Sequence, residues 1–295
     1  IPDGDALGGG GIAINGGNPY LSGLEISNNF VGENMYYLNG GGGIFCGFSF
    51  GDEALEVSIE NSIIKNNVAN IGGGIGALSG LIKINRVLLV ENTGNFGSAI
   101  SMGEPLGLVV GNIDMTISNS TISSNMGQMS IAMINSANLE AINTIFWSNS
   151  EVEFSSLPNN NQLNVNIAYS VLENDWGGEG NLFSDPLFVS QVNDYTLQQN
   201  SPCIDTGTSD LDGDGLIDLI NFIGMAPDIG VYEFGNLPQI ILGDTNFDTI
   251  IDILDIVRIV NFIMGNSEFS IDEFIAADYN IDIIVDILDI VQIVN

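Results

Sequence analysis

The sequence predicts a mainly β chain: a right-handed parallel β-helix followed by a small α-helical module. Three observations predict it. First, a glycine run closing on Ile recurs, at Gly8-Gly9-Gly10-Gly11-Ile12, Gly40 to Ile44, Gly72-Gly73-Gly74-Ile75 and Gly97-Ser98-Ala99-Ile100, with a degenerate copy at Met129-Ser130-Ile131. The Ile spacings are 32, 31, 25 and 31. Second, an alternating apolar segment ending in Asn recurs between these runs. It reads Leu24 to Asn29, Val57 to Asn67, Ile84 to Asn92, Met115 to Asn125 and Ala141 to Asn149, with a weaker copy over Ile167 to Asn174. Third, the Gly and Asn bends end after Gly235-Asn236-Leu237-Pro238, and a direct repeat of period 34 begins.

Each copy of the first two signatures makes one turn of a coil. Alternation places one row of apolar side chains inside. Asn and Gly stand where the chain must bend, because they tolerate left-handed backbone angles. Stacked coils then pair strand on strand, about 4.8 Å apart. Ile12, Ile44, Ile75 and Ile100 are expected in one inward row. Asn at equivalent bends, such as Asn61, Asn119 and Asn143, is expected to hydrogen-bond along the stack. A β-sandwich with Gly-rich turns would not need the same motif at the same phase five times. The coil reading therefore covers residues 8 to about 180.

The pairing of Ser-x-x-Asn with Gly-Gly-Gly-Ile resembles the right-handed parallel β-helix repeat proteins, including the polymorphic outer-membrane-protein type of repeat. Downstream, Asp185-Pro186-Leu187-Phe188, Asp194-Tyr195-Thr196-Leu197, Ser201 to Gly207 and Pro227 to Phe234 resemble the C-terminal cap of bacterial secreted β-helices. Such caps usually carry a basic residue before the final Asp-Ile-Gly; the stretch Leu219 to Ala226 has none. The resemblance implies that residues 181–234 cover the open edge of the last coil, which would otherwise template aggregation. The domains are then 1–234 for the β-helix with its cap, 235–242 for a linker and 243–295 for the terminal module.

Charge narrows the function. There are 37 acidic residues against four basic ones, Lys65, Lys83, Arg86 and Arg258, giving a net charge of −33. Phosphate-backbone binding needs Lys and Arg, so nucleic acid is excluded as a partner. An anionic membrane surface is excluded on the same ground, and no run of 18 apolar residues offers a membrane span. So much charge of one sign calls for divalent cations or salt. The chain has no His, which removes His-based triads and typical zinc sites. Cys46 and Cys203 read most simply as two small buried apolar residues, with a disulfide as the alternative. Opening on Ile1-Pro2-Asp3 without Met, the sequence reads as a processed product or a fragment.

The chemistry concentrates in carboxylate loops. Within the cap, Asp210, Asp212, Asp214 and Asp218 stand at positions 1, 3, 5 and 9 of a loop with Gly215 at position 6, the pattern of a calcium loop. Position 12 is Asn221 rather than a bidentate Glu. In the module, the first loop offers Asp244, Asn246, Asp248, Asp252 and Asp255 at positions 1, 3, 5, 9 and 12. The second offers Asp278, Asn280, Asp282, Asp286 and Asp289. The position-7 ligand is a backbone carbonyl, from Ile250 and Ile284. Apolar residues at helical spacing follow each loop. Two loop-helix units at this spacing resemble a type I dockerin module, which implies Ca²⁺ as cofactor and a cohesin-type domain as partner. Thr249 and Ile283 replace the usual position-6 Gly, and a β-branched residue at positive φ costs on the order of 1–2 kcal/mol. The second helix stops at Asn295, shorter than that family leads one to expect, so further residues are expected beyond it.

Parallel β-helices also host polysaccharide lyases and glycoside hydrolases, so that class is the alternative. Against it, the bases available in the coils are Lys65, Lys83 and Arg86, and odd spacing should point Lys83 and Arg86 to opposite faces. The acid pairs Asp52 with Glu53, Glu151 with Glu153 and Asp175 with Glu179 read as solvated loop acids. The expected function is that of a secreted, cell-surface or assembly β-helix protein without catalysis, its partners being a cohesin-like domain or neighbouring copies of itself, with a polysaccharide as a further candidate.

Overall fold

The computed structural model describes residues 9–32, 40–47, 55–103, 111–133, 137–150, 153–156, 164–190, 192–235, 242–246, 250–267, 269, 271–280 and 284–294. The chain divides into two compact units, Ile1–Phe234 and Gly235–Asn295.

The first unit is mainly β, with parallel sheets. One sheet has six short strands, Ile12–Ile14, Ile44–Cys46, Ile75–Ala77, Ile100–Met102, Ile131–Met133 and Phe154–Ser156, all parallel and in this order. Each glycine-run motif supplies one strand. The register places Ile12, Ile44, Ile75, Ile100, Ile131 and Phe154 in a single row, as the repeat spacing predicts. The degenerate copy at Met129-Ser130-Ile131 keeps that phase.

The alternating segments form a second, nine-stranded parallel sheet that runs through a bend. Glu56–Lys65 and Gly80–Val90 cross the bend unbroken. Their neighbours split there, into Ile113–Ser118 with Thr121–Ser123 and Ala137–Ile142 with Ile145–Trp147. Before the bend, Val57, Ile82, Met115, Leu139 and Val165 stand in one inward row. After it, Ile26, Ile64, Leu89, Ile122 and Phe146 form another. These rows and the Ile12 row enclose one core, in which Cys46 is a buried free thiol.

The bends repeat at fixed phase. Asn61, Arg86, Asn119, Asn143 and Tyr169 all take positive φ, between 46° and 54°. Five residues on, Asn66, Glu91, Ser124 and Ser148 do so again, at 55° to 58°. Asn accepts this conformation readily, whereas Arg, Glu and Tyr accept it at a cost of about 1–2 kcal/mol each. Pairing with the repeats above and below holds them there. The glycine runs answer a tighter constraint: Gly97 has φ 73°, and a Cβ on it would lie 2.0 Å from the Ile100 carbonyl oxygen.

The Asn ladder exists, but chiefly at a different position from the expected one. Asn119 and Asn143 are joined as anticipated, Asn143 Nδ2 donating to Asn119 Oδ1 at 3.0 Å, while Asn61 sits exposed at the same bend. The continuous ladder lies just past the second bend. Asn29 donates to Asn67, Asn67 to Asn92, Asn92 to Asn125 and Asn125 to Asn149, each through both its backbone N–H and its Nδ2 at 2.9–3.0 Å. Asn67, Asn92 and Asn125 are completely buried. They turn inward because Nδ2 also caps a carbonyl of the preceding repeat: Ile26, Ile64 and Leu89 in turn.

The segment expected to close the end of the stack begins there, Leu182 N–H donating to the Ser170 carbonyl at 2.8 Å and Leu172 N–H to the Leu182 carbonyl at 3.0 Å, and then runs along the side of the coils. Phe188, Tyr195, Leu197, Cys203 and Ile229 pack on Leu88, Val90 and Ile145, which flank the inward Leu89 and Phe146. Gly230 N–H donates to the Asn143 carbonyl at 3.0 Å, and Val231 N–H to Thr121 Oγ1 at 3.1 Å. Thr208 N–H donates to Asn143 Oδ1 at 2.8 Å. The physical reason is in the sequence: Leu88-Leu89-Val90 is apolar on both faces, so its outer face needs cover. Cys203 is the second buried free thiol, 0% exposed in this side layer.

Among the described residues, the second unit holds three helices, α1 (Ile253–Ile263), α2 (Ile271–Ala277) and α3 (Ile287–Ile293). α1 and α3 follow the two carboxylate loops as the repeat predicts; α2, between them, was not anticipated. Asp252 and Asp286 are the N-caps of α1 and α3, each completing a capping box with Asp255 or Asp289. Ile259, Ala277, Val285 and Ile290 form the core, with Phe262 stacked on Phe269 at 4.4 Å. Among the described residues, no helix is long and apolar enough to cross a membrane.

Candidate functional site

Among the described residues one group of three carboxylates is gathered closely enough to hold a cation. Ligand oxygens of Asp210, Asp212 and Asp218 lie within 4.8 Å of one another. The loop is shaped by its own N–H groups: Asp210 accepts from Gly213 at 2.7 Å and Gly215 at 2.9 Å, and Asp218 Oδ2 accepts from Leu211 at 2.7 Å. Gly213 and Gly215 take φ of 76° and 88°, which a side chain would resist. Asp214, a predicted ligand, does not join the three; its Oδ1 accepts from Leu216 N–H at 2.8 Å. The donors are all hard oxygens, which suits calcium in kind.

In the module, the loop-closing carboxylates are interior. Asp255 and Asp289 are 0% exposed, and Asp244 and Asp278 are nearly as deep. Asp255 Oδ1 accepts from Thr245 N–H at 2.8 Å and Asn246 N–H at 3.1 Å, while Oδ2 accepts from Asp252 N–H at 2.9 Å. Asp289 repeats the arrangement with Asn280 N–H at 3.1 Å and Asp286 N–H at 2.8 Å. Each loop thus folds back on its position-12 Asp, which touches positions 3 and 9. Asp248, Thr249, Asp282 and Ile283 lie outside the described residues. Asn246 and Asn280 are part-buried in their loops, and Ile250 and Ile284 expose their side chains. Carboxylates buried this deeply call for a counter-charge. The nearest basic side chain of this unit, Arg258, is taken by Glu273. An all-oxygen donor set of Asp, Asn and carbonyl groups fits calcium here as well.

The four bases do not gather into a catalytic group. Lys65 pairs with Glu25 at 2.9 Å and Lys83 with Glu56 at 2.6 Å, each acid on the neighbouring strand. These are cross-strand pairs of the outer surface. Arg86, which alternation would set opposite Lys83, falls on the bend itself. Burial pushes the Glu233 carboxyl in the side layer up to about 7, and the Arg86 charge offsets only a small part of that rise.

Of the acid pairs, Asp52, Glu53 and Glu151 lie outside the described residues. Asp175 and Glu179 are exposed and locally engaged, Asp175 by Gly177 N–H and Glu179 by the Tyr169 hydroxyl at 2.9 Å. Glu153 departs from the solvated-acid reading. Glu153 is half-buried, and desolvation pushes its carboxyl up to about 8, partly offset by the amide of Asn149. Its neighbour in space is Glu173, not a residue beside it in sequence. The signal available was Trp176, one of only two tryptophans, set in an acidic loop.

No protein-family model matches the chain, and no curated protein or solved structure matches it either.

Proposed function

We propose that this chain is an extracellular, non-catalytic right-handed parallel β-helix protein, held in place by a calcium-dependent dockerin-like module whose partner is a cohesin-type domain. In-register stacking of successive repeats supports the β-helix. The duplicated carboxylate loops support calcium: Asp244, Asn246, Asp248, Asp252 and Asp255, with the Ile250 carbonyl, would ligate one ion. Asp278, Asn280, Asp282, Asp286 and Asp289, with the Ile284 carbonyl, would ligate the other. Two ions would remove four charges from a module that carries 11 acids and one base over residues 244–295. The Asp210, Asp212 and Asp218 loop would take a further ion.

The observation that carries the tether is the matched pair of exposed apolar faces. Ile253, Leu254 and Val257 on α1 are 65%, 56% and 49% exposed. Their equivalents 34 residues on, Ile287, Leu288 and Val291 on α3, are 61%, 54% and 45% exposed. Contiguous exposed aliphatics of this kind mark a protein-binding surface. Calcium would set the loops from which both helices start, and so the presentation of both faces.

The test is binding of the full chain to a panel of immobilised type I cohesin-type domains, with calcium and with chelator. Calcium-dependent binding is expected. Val257→Glu or Val291→Glu alone should leave it, because the other face remains, and the double change should abolish it. Binding to none of the panel, or binding indifferent to the double change, would overturn the reading.

A further inference from the structure

Where the repeat stack ends, an aromatic column reaches the surface. Phe146 meets Phe154 edge-on at 5.3 Å, and Phe154 meets Trp176 at 4.9 Å with the rings tilted by 52°. Phe146 and Phe154 belong to the core, whereas Trp176 remains 39% exposed. The indole is anchored on Phe154, and both rings line a cleft of about 210 Å³, whose polar walls are Ser150, Glu153, Glu173 and Asn174.

Those walls are held by the backbone of the stack. Asn149, the last rung of the Asn ladder, donates from Nδ2 to the Ile122 carbonyl at 2.8 Å and to Glu153 Oε1 at 3.2 Å. Glu173 Oε1 accepts from Ser148 N–H at 2.7 Å. Ser150 donates to the Asn125 carbonyl at 3.2 Å. The cleft is thus built on rungs of the stack and carries no basic group.

From this arrangement we propose that the cleft binds one ring of a neutral saccharide, stacked on Trp176 and hydrogen-bonded through Glu153, Glu173 and Asn174. A pyranose presents an apolar C–H face and a rim of hydroxyls that both donate and accept. An aromatic platform with polar groups around its edge matches both features. Two carboxyl groups with no base beside them disfavour anionic sugars. A cationic ligand over the indole is the other chemistry such a site could take. The wall argues for the sugar: the Asn174 amide and a Glu153 carboxyl that burial keeps protonated near neutrality both offer donors, which a cation cannot use. This inference rests on the repeat unit alone and is independent of the terminal module.

The experiment is calorimetric titration of the full chain, in calcium-containing buffer, with cellobiose, maltose, lactose and xylobiose. Digalacturonate and choline serve as the anionic and cationic probes. At least one neutral disaccharide is expected to bind with Kd on the order of 1 mM, with digalacturonate at least about tenfold weaker. Trp176→Leu, which retains an apolar plug over Phe154, should weaken binding about tenfold or more, as should Glu173→Gln, with unchanged melting temperature in the latter. Titrating the Trp147→Phe variant by fluorescence isolates the Trp176 signal, which should change saturably with the same disaccharide. No binding of any neutral disaccharide up to about 20 mM, binding that ignores both variants, or choline binding tighter than every sugar would overturn the proposal.

Discussion

Replacing Asn92 by Leu removes one rung of the buried Asn ladder while keeping the same branched skeleton of four side-chain heavy atoms. Asn92 Oδ1 accepts from the Asn67 backbone N–H and from Asn67 Nδ2, both at 3.0 Å. Its own Nδ2 donates to the Ile64 carbonyl and to Asn125 Oδ1, again at 3.0 Å. Asn67 Nδ2 would retain the Ile26 carbonyl, and Asn125 Oδ1 would retain the backbone N–H of residue 92. The Asn67 N–H and the Ile64 carbonyl would lose this partner in a fully buried place. A buried polar group left unsatisfied costs about 1–3 kcal/mol, so the expected loss is about 2–5 kcal/mol after the small gain from burying Leu. Asn95→Ala is the control. Asn95 bonds Asn70 across the same stack at 2.7 Å but is exposed, and its removal should cost under about 0.5 kcal/mol. Urea unfolding followed by circular dichroism reads both values. A loss below about 1 kcal/mol for Asn92→Leu, or equal losses for the two variants, would refute the claim that the ladder holds the repeats in register.

Ile75→Asp places a carboxylate in the centre of the Ile row, where Ile75 is 0% exposed and no base is near; the unit should fail to fold cooperatively, and a retained sharp melting transition would count against the row being interior. Stability of the repeat unit should fall as pH rises from about 4.5 to 8. Burial holds Glu153 at about 8 and Glu233 at about 7, so between the unfolded value near 4.5 and those values the folded chain binds more protons than the unfolded chain. This contribution is complete below the unfolded value and is lost as pH climbs through the folded ones, on the order of 2–3 kcal/mol for Glu153. Melting temperatures at pH 5.5 and 8 should differ less in Glu153→Gln than in the unchanged chain; equal differences would show that this carboxyl is not buried in its acid form.

The repeats were legible because strand alternation and bend chemistry are local. Ile12, Ile44, Ile75 and Ile100 share a row because each follows a glycine run that leaves only one phase open. The bends were legible as a pattern but not as a hydrogen-bond assignment. Asn61 and Asn67 stand in the same motif, and only the fold decides that Asn67 turns inward. The side layer after Leu182 was not legible, because its partner surface is the outer face of Leu88 and Val90, and a sequence does not say which of two apolar faces meets the core. The grouping of Asp210, Asp212 and Asp218 was legible by spacing, since these acids are near neighbours in the chain. The cleft was not, because Glu153 comes from one repeat and Glu173 and Trp176 from the next, and they meet only when the stack is built. Acids in a chain with 37 of them carry little individual signal.

Calcium titration of the full chain tests the central claim most directly, because the proposed tether depends on it. Calorimetry should resolve binding at millimolar calcium or tighter, with Asp244→Ala combined with Asp278→Ala removing two sites and leaving the one at Asp210, Asp212 and Asp218. Chelator should loosen the helical module before the β repeats, since the module would hold two ions in a small core and the larger β unit only one, in an exposed loop. No heat at millimolar calcium, or a stoichiometry that the paired change leaves untouched, would contradict the account.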